Sequence, residues 1–141
     1  VSDCTRIFSA GAISDTWHSR LEDMIEIRDS VVASLGRGDD CSKSWEIGKS
    51  LADEMGHSEN LMGMHPDQSN FLGHSVGLEL DETPVVAVGF DRPLPIGGTM
   101  AVEPKVIHHD GSIGNEDTWF RTSDGMECLT AGDSFPVYTE W

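Results

Sequence analysis

Residues 73–82 read Gly-His-Ser-Val-Gly-Leu-Glu-Leu-Asp-Glu, and the interpretation of the whole chain begins with them. The run predicts a short strand over about residues 74–80, with acidic side chains near its end. His74 lies between Gly73 and Gly77, and glycine lets a backbone or a ligand approach closely. A single histidine in such a place is typical of a hydrogen-bonded side chain with no further role, so its meaning depends on the rest of the chain.

Carboxylates recur where other strands are expected. Asp3 lies near the start of the chain, Glu103 lies in the apolar run Ala-Val-Glu-Pro, and Glu116 lies in Gly-Asn-Glu-Asp-Thr-Trp-Phe. One imidazole with several carboxylates is a ligand set for a divalent transition metal. The sequence therefore predicts a site for one or two metal ions that His74 and these acids share.

Composition limits the class of protein. The length of 141 residues fits one domain, and the formal net charge of −16 disfavours a nucleic-acid-binding surface, which needs a basic patch. No apolar run approaches the roughly 20 residues of a membrane span.

The start is polar and lacks the basic region and apolar segment of a signal peptide. The three cysteines are odd in number and without a pattern, which favours free thiols in a reducing, cytoplasmic compartment.

Two helices are predicted in the first half of the chain. Ser14 or Asp15 can cap the first helix, because a side-chain oxygen there accepts from exposed amides of the first turn. Apolar residues then recur at helical spacing from Trp17 to Leu35, and Gly36 is expected to end the helix. A second helix is expected from about residues 42–44 to Met55. Neither helix has the His-Glu-x-x-His arrangement of a zinc peptidase.

Strands dominate the remainder, and the first eight residues also predict one. The order strand, helix, helix and then several antiparallel strands favours an α+β fold. Asp124-Gly125 between two apolar runs is a strong hairpin signal. The predicted strands after the helices, besides residues 74–80, cover 85–88, 99–107, 115–122 and 126–130, with a hairpin tip at 108–111.

The order and spacing of five short pieces resemble the C-terminal part of the catalytic domain of the pita-bread metallopeptidases. These pieces cover residues 2–8, 73–79, 102–105, 115–118 and 122–130. The family includes methionine aminopeptidase, aminopeptidase P, prolidase and creatinase, and the likeness is greatest to the Xaa-Pro peptidase branch. It implies two helices packed on a curved, mainly antiparallel sheet. It also implies that residues 1–141 form a single domain, the C-terminal portion of a longer catalytic domain whose N-terminal part precedes Val1.

The resemblance implies a role for each matched residue. In that family two aspartates, one histidine and two glutamates hold two metal ions, and the matching positions here are Asp3, His74, Glu103 and Glu116. The other aspartate is expected before Val1, so the chain alone should bind metal weakly or not at all and be inactive or nearly so. Manganese, cobalt, iron and zinc all suit such a site. His74 and Glu103 are the implied catalytic residues, and Glu103 is the candidate for moving the proton of the attacking water.

Two positions depart from the family pattern. Asp81 lies seven residues after His74, where active relatives usually have a second histidine that contacts the substrate. Gly114 lies where an arginine often precedes the last glutamate. Asp81 is therefore the expected substrate-binding residue, and its negative charge would repel a free C-terminal carboxylate or attract a cationic group.

Three functional hypotheses follow. The first is a metal-dependent peptidase of the Xaa-Pro dipeptidase or aminopeptidase type, with a peptide substrate. The second is a creatinase-like hydrolase or lyase that cleaves a C–N bond of a small molecule on the same fold. The third is a non-catalytic peptide-binding module. The partners expected are a peptide or a small-molecule substrate and a second copy of the chain in a homodimer, without nucleic acid or membrane.

Overall fold

The computed structural model describes residues 1–130 and 136–141, and within these ranges the chain folds as two helices and nine strands. The helices are α1 (Asp15–Arg37) and α2 (Cys41–Glu54). The strands are β1 (Ile7–Ser9), β2 (Phe71–Ser75), β3 (Glu82–Ala87), β4 (Thr99–Val102), β5 (Lys105–His108), β6 (Gly111–Gly114), β7 (Asp117–Arg121), β8 (Met126–Cys128) and β9 (Tyr138–Glu140). This order confirms the predicted α+β class.

Helix α1 begins where its capping signal predicts. The Ser14 hydroxyl accepts from the backbone N–H of Trp17 at 3.4 Å. The prediction that Gly36 ends the helix is wrong, because Gly36 stays helical and α1 continues to Arg37. The helix ends at Gly38, which has the left-handed φ of 89° and donates its N–H to the carbonyl of Leu35. Two glycines so close in sequence are both plausible ends, and only the structure distinguishes them.

The two helices pack closely on the sheet through Gly48 of α2. A Cβ atom at this position would lie 2.4 Å from Leu72 Cδ1 and 2.8 Å from Val31 Cγ2. The absence of a side chain therefore lets α2 approach both α1 and β2. The residues that form this core include Met24, Ile27, Val31, Leu35, Leu72, Val86, Met100, Val102 and Val106.

The main sheet has five strands in the order β3-β2-β4-β7-β8, and all neighbours run antiparallel. His74 lies on β2, opposite Ala101 of β4 and Val85 of β3. A Cβ atom at Gly73 would lie only 2.3 Å from the carbonyl oxygen of Ala101. Glycine beside His74 thus permits the close approach of β4, as the sequence indicates.

Five predicted strands are shorter than expected. Those expected at 115–122 and 126–130 shorten to β7 and β8, and the other three change more. The strand expected at 74–80 ends at Ser75, and a turn follows in which Gly77 donates to the carbonyl of Glu79. The strand expected at 99–107 divides into β4 and β5, because Pro104 has no N–H to donate to a ladder. Glu103 lies at this break, and its N–H donates to the carbonyl of Leu72. The strand expected at 1–8 is reduced to β1 and an isolated bridge between Thr5 and Glu116.

A parallel pair joins the two ends of the described chain. β1 and β9 align Ile7 with Tyr138 and Ser9 with Glu140. Backbone bonds from Gly11 N–H to the carbonyl of Trp141, and from Trp141 N–H to the carbonyl of Ser9, extend the pairing. Strand β9 was not predicted from the sequence. Among the residues described, none of the helices has the length and apolar character that crossing a membrane requires.

Candidate metal centre

The structure brings Asp3, His74 and Glu116 together from three distant parts of the chain. One ligand-type atom of each residue lies within 4.8 Å of the other two, and His74 Nε2 is 3.9 Å from Asp3 Oδ2. Glu103 lies beside them, with its Oε1 atom 3.4 Å from the same Nε2 atom. The four residues that the sequence selected as metal ligands therefore occupy one site.

Two threonines hold the carboxylates from the first and last segments. Asp3 donates its backbone N–H to Thr118 Oγ1 at 2.9 Å, and that hydroxyl donates to the carbonyl of Asp3 at 2.7 Å. Thr5 donates its backbone N–H to the carbonyl of Glu116 at 3.1 Å and its hydroxyl to Glu116 Oε2 at 2.6 Å. Asp3 and Glu116 are thus fixed relative to each other by backbone and threonine hydrogen bonds between residues more than a hundred positions apart.

His74 is buried, with a side chain that is 7% exposed, and its orientation is set by the backbone. Nδ1 lies 3.2 Å from the carbonyl oxygen of Ser75, which can only accept, so Nδ1 carries a hydrogen. Nε2 points to the acidic side chains: it is 3.4 Å from Glu103 Oε1 and 3.3 Å from Asp81 Oδ1. Such a histidine presents Nε2 as the atom that can bind a metal ion.

The electrostatics of the site follow from these contacts. The hydrogen bond with Glu103 is the main reason that the pKa of His74 rises to about 9, against the opposing effect of burial. Burial raises the pKa of Glu103, but hydrogen bonds from His74 and Lys105 outweigh it and hold that pKa below its usual value. Burial, helped by the charges of Glu103 and Asp3, raises the pKa of Glu116. The negative charges of the cluster thus favour any cation that enters it.

The donor set fits a divalent metal ion. Carboxylate oxygens and an imidazole nitrogen bind such ions at about 2.0–2.2 Å, so ligands of one ion lie up to about 4.4 Å apart. The ligand-type atoms of Asp3, His74 and Glu116 lie within 4.8 Å of one another, so at most a small inward shift would match this span. Binding at Nε2 requires the unprotonated nitrogen, so metal binding here would release a proton.

Asp81 lies at the mouth of the site rather than within it. Its side chain is 75% exposed, and it lines a cavity of about 510 Å³ that adjoins His74. The other lining residues are Phe71, Glu79, Glu82, Thr83 and Val85. Asp81, the residue predicted to bind substrate, therefore faces a cavity of a size typical of small-molecule sites. Carboxylates and apolar side chains surround this cavity.

Sequence reasoning missed the buried ion network behind the site. Arg6 donates to Asp117 Oδ1 at 2.5 Å, and Arg28 of α1 donates to Asp117 Oδ2 at 3.0 Å. Arg6 also donates to the carbonyl of Glu116 at 2.9 Å. The network anchors the backbone next to Glu116. Arg28 lies at a helical spacing from the apolar residues of α1, on the buried face of the helix. A charged residue on a buried face needs a partner, and this was the local signal for the network.

Lys105 is a second residue whose role sequence reasoning missed. Its Nζ atom lies 2.8 Å from Glu103 Oε2, two residues away. Each oxygen of Glu103 therefore faces a nitrogen, one of His74 and one of Lys105. Glu103 and Lys105 both belong to residues 102–105, Val-Glu-Pro-Lys. The sequence does not reveal that the break between β4 and β5 at Pro104 lets their side chains meet.

Comparison with known proteins places this chain in a family. Residues 1–123 match the model of metallopeptidase family M24. The chain is 28% identical over 130 residues to a Xaa-Pro dipeptidase of Pyrococcus horikoshii, and 26% identical to one of Pyrococcus furiosus. Each alignment covers 92% of this chain and 35% of the relative. The chain therefore spans about a third of the length of the relatives it matches.

Solved structures agree on the fold. An X-Pro aminopeptidase from Thermotoga maritima superimposes with a TM-score of 0.85 at 24% identity, covering 99% of this chain and 37% of the other. The prolidase from Pyrococcus horikoshii superimposes with a TM-score of 0.80 at 28% identity, covering 94% of this chain and 36% of the other. The fold is that of the pita-bread metallopeptidases, and the chain belongs to metallopeptidase family M24.

Proposed function

We propose that this chain contributes four ligands to the metal centre of a peptidase of the Xaa-Pro dipeptidase or aminopeptidase type. Asp3, His74, Glu103 and Glu116 are the proposed ligands, and the centre is proposed to hold two divalent ions of manganese, cobalt, iron or zinc. The observation that most supports the proposal is the convergence of Asp3, His74 and Glu116, with Glu103 at 3.4 Å from His74 Nε2. The Xaa-Pro dipeptidases among the relatives support Xaa-Pro peptides as the proposed substrate class.

The proposed chemistry divides between the ions and the side chains. When bound, a pair of divalent ions lowers the pKa of a water molecule and polarises the scissile carbonyl. Glu103 is half-buried and has a depressed pKa, so its carboxylate is ionised and able to accept the proton of that water. Its contact with His74 fixes the direction of one oxygen. Glu103 would then return the proton to the leaving amine.

The side chains also shape the substrate position. His74 is buried at the floor of the cavity of about 510 Å³, and Asp81 lies at its exposed rim. A substrate in this cavity would lie near Asp81. The Asp81 carboxylate would favour a substrate group that carries a positive charge and disfavour a free carboxylate.

A direct test uses metal binding and peptide cleavage together. The chain, and the protein in its longest natural form, are incubated with Mn²⁺, Co²⁺ or Zn²⁺, and bound metal and Xaa-Pro dipeptide hydrolysis are measured. His74→Ala should lower both, because it removes the one nitrogen donor. His18→Ala is the matched control, since His18 is exposed on α1 with a side chain that is 51% accessible. In the longest natural form, equal metal binding by the wild type and His74→Ala would refute the proposed centre.

A second candidate function is C–N bond hydrolysis or elimination on a small cationic molecule. Asp81 favours it, because its carboxylate lines the cavity with Oδ1 at 3.3 Å from His74 Nε2. A negative charge at this place would attract a cationic substrate. Asp81→His should shift selectivity from cationic towards neutral or carboxylate-terminated substrates. Unchanged selectivity among charged and neutral substrates would exclude a substrate-binding role for Asp81.

A further inference from the structure

Lys105 places a cation against one of the proposed metal ligands. Its Nζ atom lies 2.8 Å from Glu103 Oε2, a distance typical of a charge-assisted hydrogen bond. The Glu103 side chain is only 14% exposed, whereas the Lys105 side chain is 43% exposed. The pair is thus part-buried on the side of the carboxylate and open to solvent on the side of the ammonium group.

The remaining oxygen of Glu103 is also engaged. Oε1 lies 3.4 Å from His74 Nε2, so a metal ion that binds His74 meets this oxygen first. Bidentate or bridging coordination by Glu103 would need Oε2 as well, which is the atom that Lys105 holds. An ammonium group and a metal ion are both cations, so each weakens the attraction of the carboxylate for the other.

We infer that Lys105 competes with the metal ion for Glu103 and so sets the metal affinity of the centre below the value that its four ligands would otherwise give. The inference rests on the proposed metal centre. Lys105 would be a positioning residue, because it acts on the metal through Glu103. Its side chain is 43% exposed, which lets it leave Glu103 for solvent when coordination requires both oxygens.

The mechanism predicts a defined change in affinity. An opposite charge within about 4–6 Å of a carboxylate favours its ionised form over the protonated one by a factor of ten or more, and the same charge opposes a second cation at that carboxylate. Replacing Lys105 by a neutral side chain should therefore tighten Co²⁺ binding by about tenfold or more. The change should depend on the presence of the Glu103 carboxylate.

The experiment measures the dissociation constant of Co²⁺ by isothermal titration calorimetry for the protein in its longest natural form and for its variants, because the chain alone is expected to bind metal weakly. Lys105→Gln is the test variant, because glutamine keeps most of the stem and removes the charge. Lys49→Gln is the matched control, since Lys49 forms an exposed ion pair with Asp53 on α2. The expected result is tighter binding by Lys105→Gln and wild-type binding by Lys49→Gln.

A double-variant cycle separates pairing from a general charge effect. In a Glu103→Gln background, Lys105→Gln should change the dissociation constant by much less than in the wild type, since the contact is already lost. Equal dissociation constants for wild type and Lys105→Gln would overturn the inference while leaving the metal centre intact. An equal gain in both backgrounds would also overturn it, because Lys105 would then act without Glu103. No Co²⁺ binding by wild type or Lys105→Gln would overturn both the inference and the proposed centre.

Discussion

Asp117→Asn should destabilise the fold strongly, because Asp117 is the carboxylate on which two buried arginines depend. Asp117 Oδ1 accepts from Arg6 at 2.5 Å and from the hydroxyl of Thr130 at 2.7 Å, while Oδ2 accepts from Arg28 at 3.0 Å. The side chains of Asp117 and Arg6 are 2% and 4% exposed. Removing one partner of a buried ion pair typically costs about 3–5 kcal/mol, since it leaves an uncompensated charge.

Features of the site favour the lower end of this range. Arg6 keeps carbonyl acceptors on Thr5 and Glu116, and Arg28 keeps its contact with Asp29 at 2.9 Å. We therefore expect a loss of about 3 kcal/mol in the free energy of unfolding, which urea titration with linear extrapolation would measure.

Asp29→Asn is the matched control for this prediction. Asp29 contacts the same Arg28, but its side chain is 57% exposed, and exposed pairs contribute about 0–1 kcal/mol. If Asp117→Asn were no more destabilising than Asp29→Asn, the reasoning from burial would be wrong. A variant of Asp117 too unstable to purify would exceed the predicted magnitude and support its direction.

Three further predictions concern packing and reactivity. Gly48→Ala should lower the urea midpoint of unfolding, because its Cβ would lie 2.4 Å from Leu72 Cδ1. Such overpacking costs about 1–3 kcal/mol, which exceeds the gain in helix propensity of about 1 kcal/mol. A raised midpoint would contradict the close contact. Asn115→Leu should stabilise the chain by about 1 kcal/mol in the same assay. The reason is that neither polar atom of this buried amide has a hydrogen-bond partner among the described residues. A loss of stability would show that the amide does form hydrogen bonds. Iodoacetamide under native conditions should label exposed Cys4 well before Cys41, because burial raises the pKa of the Cys41 thiol to about 11. Mass spectrometry of the labelled chain gives the order of labelling. Equal rates at the two cysteines would contradict the burial of Cys41.

Local signals in the sequence were enough to predict the helices. The cap at Ser14 and the apolar spacing after it are properties of neighbouring residues, and α1 begins at Asp15 as they indicate. Strand ends were less predictable, because a strand ends where its partner ends. β2 stops at Ser75 although the sequence continues with apolar and acidic residues in alternation. Strand β9 pairs with β1 across almost the whole chain, and no local pattern encodes that contact.

The candidate site divides in the same way. The resemblance to a family selected Asp3, His74, Glu103 and Glu116, and the structure brings these four side chains together. It offered no role for Lys105, because the contact with Glu103 depends on the bend of the backbone at the end of β4. The sequence therefore predicted the acidic side chains of the site better than the cation that faces one of them.

The parallel pairing of β1 and β9 has a mechanical consequence. If the chain is stretched from Val1 and Trp141, tension pulls β1 towards its start and β9 towards its end, in opposite directions along parallel strands. The cross-strand bonds, such as Ile7 N–H to the carbonyl of Val137 at 2.8 Å, are then sheared together instead of being unzipped one at a time. Under force the molecule should resist extension until this pair ruptures as a unit.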